Sequence, residues 1–307
     1  MISHNPQSFN TDYLPEQDGH KVWFAQYGNP SGIPIVVCHG GPGDKSKPRH
    51  INRYDLDKYH VITFDQRGCG QSLPLGETKN NTLSDLVSDM ERLCNILKIE
   101  KWYIAGGSWR STVALTYAES FPEKTKGLLL SSIFLARQKD EEWSFTREGG
   151  ITRIFPDLIE KRSSMTAKDL LNKLESGDEE SVKEIVAGVM NWEGNLMTSQ
   201  ADIKLIDIVD VDEENIASAR VFLSYQANNY FLELNQIIKN SDRLKNIPTI
   251  IVHGRYDLLC PMDNAWELHQ HLSNSELVIL PSSNHRLTAD GEIAKNMAFK
   301  YFLSKQS

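Results

Sequence analysis

The sequence predicts an α/β protein, a doubly wound and mostly parallel sheet with one helical cap inserted into it. Three observations point there. Short apolar runs alternate with segments of helical periodicity. Several of those runs carry no polar alternation, as strands covered on both faces require. One long, charged stretch interrupts the alternation once. With 307 residues the chain has room for a large domain and a sizeable insertion.

Taken in order, the expected strands are Ile33 to Cys38, His60 to Phe64, Trp102 to Ala105, Gly127 to Ser131, Thr249 to Val252 and Glu276 to Leu280. Between the second and third, Leu83, Leu86, Val87, Met90, Leu93 and Leu97 fall at helical spacing, with Thr82 and Asp85 set to cap the helix. A second helix starts at Ser108 and stops before Pro122, and a last one runs from about Glu292 to Phe302. The stretch from about Arg137 to Lys239 is rich in charge and helix formers. It reads as a cap over the carboxyl ends of the strands, where open α/β sheets bind ligands. The division is therefore a core of residues 1–136 and 240–307 and a cap of 137–239.

A formal charge of −8 disfavours nucleic acid and anionic membrane surfaces, which demand basic patches. The longest apolar runs are strand-sized, below the ~20 residues of a membrane span. The first residues are polar and carry no apolar signal-peptide core. Cys38, Cys69, Cys94 and Cys260 show no metal-like spacing. Free thiols in a cytoplasmic protein are the expectation.

The chemistry lies in three segments. Gly106-Gly107-Ser108-Trp109-Arg110 follows an apolar strand and opens a helix, the setting of a nucleophile whose hydroxyl is exposed on a strained turn. Arg110 stands where the G-x-S-x-G pattern has its final glycine. His39-Gly40-Gly41-Pro42-Gly43 follows the first expected strand, where hydrolases of this type place an oxyanion donor; no G-K-[ST] follows, which disfavours a phosphate loop. Asp257 and His285 each come just after a later strand, giving the order Ser, Asp, His of the α/β-hydrolase fold. In that arrangement Ser108 is the nucleophile, His285 the base, and Asp257 the residue that orients and stabilises the imidazolium. His253 reads as a core histidine and His269/His271 as a surface pair. Asp65 and Arg67 are expected to pair with each other or with backbone.

Together these motifs resemble the proline iminopeptidase (prolyl aminopeptidase) family of α/β hydrolases. The resemblance runs from about Asn10 to the C-terminus. It is carried by HGGPG (His39 to Gly43), DQRGCGQS (Asp65 to Ser72), GGSW (Gly106 to Trp109), Ile133-Phe134-Leu135, Trp192-Glu193-Gly194 and His253-Gly254-Arg255-Tyr256-Asp257. It implies release of N-terminal proline from short peptides without metal or organic cofactor. It further implies an oxyanion hole from the N–H groups of Gly41 and Trp109, Glu193 as acceptor for the substrate's α-amine, and Phe134 and Phe231 against the proline ring. A second acidic residue of the family pattern falls on Ala227 here. That departure keeps an esterase or amidase for small acyl compounds in view, and Arg110 keeps a non-catalytic ligand-binding protein in view.

Overall fold

The computed structural model describes residues 6–146, 148–159, 164–198 and 206–306. They contain one eight-stranded sheet in the order β1-β2-β4-β3-β5-β6-β7-β8. The strands are β1 (Asn10–Tyr13), β2 (Trp23–Gly28), β3 (Ile33–Val37), β4 (Tyr59–Phe64), β5 (Trp102–Ser108), β6 (Thr125–Ile133), β7 (Thr249–Gly254) and β8 (Ser275–Leu280). β1 pairs with β2 and β2 with β4 antiparallel, and every later neighbour is parallel.

All six expected strands form. β1 and β2 did not stand out in the sequence. The four residues of β1 are all exposed, and Gln26 breaks the apolar run of β2. The capping box expected at Thr82 is present, with Asp85 N–H donating to Thr82 Oγ1 and Thr82 N–H donating back to Asp85.

Alternation along the strands sends side chains into two layers. Val36, Ile62, Ile104 and Leu130 face the helices Leu83–Ile96 and Trp109–Ser120. Ile35, Val37, Val61 and Leu129 face the last helix, Ala289–Lys305, through Phe299, Phe302 and Leu303. From β3 the chain moves to β4 on one side and then to β5 on the other. That reversal opens a crevice at the carboxyl ends of β3 and β5, the place where such sheets hold ligands.

Between β6 and β7 the chain is helical, with Gln138–Phe145, Ala167–Ser176, Glu179–Thr198 and Glu213–Ala227 as its longer elements. These share a small core of their own, in which Leu174, Val186, Phe222 and Leu223 meet. Among the described residues no helix is long and apolar enough to cross a membrane.

Candidate active site

Ser108 ends β5 and caps the helix that follows, with φ 61° and ψ −137°. A non-glycine residue in that region is strained, and its neighbours show how the strain is held. A Cβ at Gly106 would lie 2.3 Å from the carbonyl oxygen of Arg110, and one at Gly107 would lie 2.4 Å from Ser131 Oγ. Only glycine permits this crossing of strand, turn and helix. Ser111 Oγ donates to the carbonyl of Ser108 at 2.7 Å and accepts from Phe134 N–H at 3.0 Å, joining the elbow to the end of β6.

Asp257 is buried after β7, and both of its carboxylate oxygens lie 2.9 Å from Nδ1 of His285, which follows β8. Asp257 Oδ1 also accepts the backbone N–H of Cys260 at 2.8 Å. Cys260 lines a small cavity together with Ser108. Its sulfur, the His285 ring and the Asp257 carboxylate lie within 4.8 Å of one another. The three chain segments thus converge on one spot.

The loop after β3 reaches the same spot. Gly41 and Pro42 line a cavity with Ser108, Phe134, Glu193 and Tyr230. Gly41 has φ +119°, and a Cβ there would lie 2.4 Å from Gly43 N. Gln66 ties this loop to the elbow. Its N–H donates to His39 Nε2 at 2.7 Å, its side-chain amide donates to His39 O at 3.0 Å, and its Oε1 accepts the Trp109 indole N–H at 2.9 Å. Trp109 is the first residue of its helix, where backbone N–H groups have no intrahelical partner. The cavity is small, about 20 Å³, room for about one water, so entry of a substrate requires its walls to part.

Glu193 comes from the helix Glu179–Thr198. Burial pushes its carboxyl up to about 8, with the nearby charges of Asp44 and Glu141 adding to the shift. The same helix holds the His285 loop: Met197 O accepts the N–H of Arg286 at 3.1 Å, and Thr198 O accepts the Asn284 side-chain amide.

The model for the α/β hydrolase fold matches residues 33–291. A proline iminopeptidase of Xylella fastidiosa is 37% identical over 286 residues, covering 90% of this chain and 91% of its own. That of Neisseria gonorrhoeae is 35% identical over 290 residues, covering 91% of each. The chain belongs to the proline iminopeptidase family of α/β hydrolases. Among solved structures, an α/β-fold hydrolase of Bacillus anthracis superposes with a TM-score of 0.66 at 19% identity, covering 98% of this chain and 100% of its own, a likeness of fold alone.

One expected site residue sits elsewhere than the sequence suggested. Phe231 is not among the cavity-lining residues; its ring stands edge-on to Tyr225, with centroids 5.1 Å apart. Tyr230 takes the wall position instead, edge-on to Phe134 at 5.1 Å, and Phe145 and Phe222 complete the aromatic lining. Asp65 and Arg67 take backbone partners, as expected, rather than each other: Asp65 accepts the N–H groups of Ser46 and Gln71, and Arg67 donates to Asn80 O at 2.6 Å while Asp89 holds it in a fork at 2.6 and 3.0 Å. His253 accepts Ile133 N–H and bonds the carbonyl of Cys260, as a satisfied core histidine does. Gln66 and Tyr230 are the site residues that the motifs gave no reason to single out.

Proposed function

We propose that this hydrolase is a serine aminopeptidase that releases N-terminal proline from short peptides through an acyl-enzyme. Ser108 Oγ attacks the carbonyl of the first residue while His285 takes its proton. Asp257, bonded to Nδ1, fixes the imidazole and stabilises the imidazolium. The N–H groups of Gly41 and Trp109 receive the oxyanion. His285 then protonates the leaving amine, and water attacks the acyl-enzyme by the same route in reverse.

The observation that carries the reading is a carboxyl group, Glu193, in the same cavity as Ser108. An exopeptidase must recognise a charged amine next to the scissile bond, and a carboxylate in a confined site is its natural partner. Phe134 and Tyr230 offer the apolar surface on which a pyrrolidine ring rests. Residues 137–239 act as the cap, which the presence of Phe145, Glu193, Phe222 and Tyr230 in the cavity wall supports. Four buried free thiols suit a reducing compartment, and the cytoplasm is the location in this reading. The partner is a small peptide, with no part for nucleic acid or membrane.

Hydrolysis of proline-β-naphthylamide by the wild type and by Ser108→Ala, beside a short p-nitrophenyl ester, tests the reading. Proline release that disappears in the variant is expected. Ester turnover alone, lost in the same variant, would assign the site to small acyl substrates. Absence of both activities would leave only a ligand-binding role.

A further inference from the structure

A second cavity, of about 230 Å³, lies against the last helix and shares no lining residue with the cavity at Ser108. Arg53, Tyr54 and Lys58 line it from the segment before β4, and Asn296 and Lys300 from the helix Ala289–Lys305. Tyr59, Phe299 and Leu303 supply its apolar wall. Three polar atoms of these residues are orphaned. Arg53 Nε, the Tyr54 hydroxyl and Asn296 Oδ1 are all buried with no hydrogen-bond partner among the described residues. Tyr54 is only 8% exposed, so its hydroxyl has no route to bulk solvent. Buried polar atoms are seldom left unmatched, and three beside one cavity call for an occupant that matches them.

The charge is one-sided as well. In a chain of net charge −8, three cations (Arg53, Lys58 and Lys300) line this cavity against one acid, Asp55, whose Oδ1 accepts the N–H of Asp57 at 3.1 Å. Among the described residues neither Arg53 nor Lys300 forms an ion pair. Arg53 also presses on two buried cations. After burial itself, its charge is the largest influence that lowers the pKa of Arg110 and of Lys295, the latter to about 8. Water would satisfy the orphaned atoms but leave that charge unanswered, whereas an oxyanion answers both.

We propose that this cavity binds a small oxyanion that also carries a hydrogen-bond donor, a phosphate or an α-hydroxycarboxylate. The oxyanion accepts from Arg53 Nε and the Tyr54 hydroxyl, and Lys58 and Lys300 balance its charge. Its P–O–H or α-hydroxyl donates to Asn296 Oδ1. The site is separate from the hydrolase chemistry and does not depend on which substrate Ser108 attacks.

Calorimetric titration of the full chain at pH 7, in chloride at constant ionic strength, tests the proposal, with inorganic phosphate in one arm and L-lactate in the other. One saturable site with a dissociation constant of about 1 mM or tighter is expected in at least one arm, and the stronger arm tells phosphate from carboxylate. Arg53→Gln weakens that binding about tenfold or more, as loss of a charge-assisted bond requires. Lys300→Gln, an exposed change, weakens it several-fold. Tyr54→Phe weakens it too, yet raises the Tm of the free protein, because an orphaned hydroxyl has been removed. Each loss is read in a variant whose far-UV circular dichroism matches the wild type. Absence of saturable binding in both arms, or binding that any of the three variants leaves unchanged, would overturn the proposal.

Discussion

A Glu193 carboxyl pushed up to about 8 gives the aminopeptidase reading a pH signature. Burial is the first cause of the shift, with Asp44 and Glu141 next. The profile of kcat/KM reports ionisations of free enzyme and free substrate. Below pH 8 the carboxyl holds its proton, and arylamide kcat/KM falls tenfold per unit; at pH 6 about one molecule in a hundred carries the carboxylate. The substrate must keep its own proton, and α-amines titrate at about 7.7–8.0, so the rate falls again on the alkaline side. The expected profile is a bell with its maximum near pH 8. Glu193→Gln abolishes the Glu193 limb and lowers the maximum. A hydrogen bond to a charged group contributes about 1.5–3 kcal/mol against about 0.5–1.5 for a neutral one, so the plateau drops by about five- to fifteenfold. Stability follows the same ionisation. A carboxyl whose pKa is raised by folding contributes fully below its unfolded value and loses that contribution as pH rises through about 8. The wild type therefore loses more Tm than Glu193→Gln between pH 5 and 9. The assay is kcat/KM for proline-β-naphthylamide and p-nitrophenyl acetate, with both proteins, from pH 5.5 to 9.5. Superimposable profiles for the two substrates, or an acid limb that stays near pH 8 in Glu193→Gln, would refute the reasoning.

Three further outcomes are expected. Gly107→Ala forces a Cβ to within 2.4 Å of Ser131 Oγ and 2.9 Å of Ser131 O, so the elbow must shift; hydrolysis of both substrates falls at least a hundredfold, and calorimetry shows a lower Tm. Gln66→Leu leaves the buried Trp109 indole N–H and the His39 carbonyl without their partners, at about 1–3 kcal/mol for each; urea unfolding measures that loss, and kcat falls more than KM rises because the loop after β3, the oxyanion loop in the proposed mechanism, loses its tie to the elbow. Burial holds the Cys260 thiol well above its ordinary pKa, so iodoacetamide inactivates slowly, whereas a mercurial blocks activity; Cys260→Ala keeps its turnover in the presence of the mercurial.

The convergence of Ser108, Asp257 and His285 was legible because each residue comes at the end of its own apolar strand, and adjacent parallel strands end at the same edge. Ser108, Asp257 and His285 needed no knowledge of packing to be grouped. What escaped depends on contacts between distant segments. Gln66 belongs to a conspicuous motif, but its work is to join two loops, which no spacing encodes. The exchange of Tyr230 for Phe231 has a local cause. Residues 229 to 231 all have φ between 51° and 55°, a left-handed run that turns adjacent rings in ways helical periodicity does not anticipate.

Arg110 shows how a departure from a motif is absorbed. A cation in the first turn of a helix opposes the macrodipole, typically by ~0.3–1 kcal/mol. A side chain at this position would also crowd the strand that precedes the elbow. The crowding is relieved by Gly106: its missing Cβ would stand 3.0 Å from Arg110 Cβ, so the glycine on the strand makes room for the arginine on the helix. The guanidinium then turns away from Ser108. Its Nε donates to Gly107 O at 2.9 Å and its Nη1 meets His50 Nε2 at 3.1 Å. Burial, then the charge of Arg53, lowers the Arg110 pKa to about 10, which still leaves it protonated at neutral pH. His50 is correspondingly pushed down, by its own burial first and then by Arg110, and so remains neutral and able to accept. The arginine thus fastens the elbow from behind, by a bond to the residue just before the nucleophile, and takes no place among the residues that line the cavity. A residue so placed leaves the chemistry at Ser108 available, which is why its presence in the elbow is no argument for a dead enzyme.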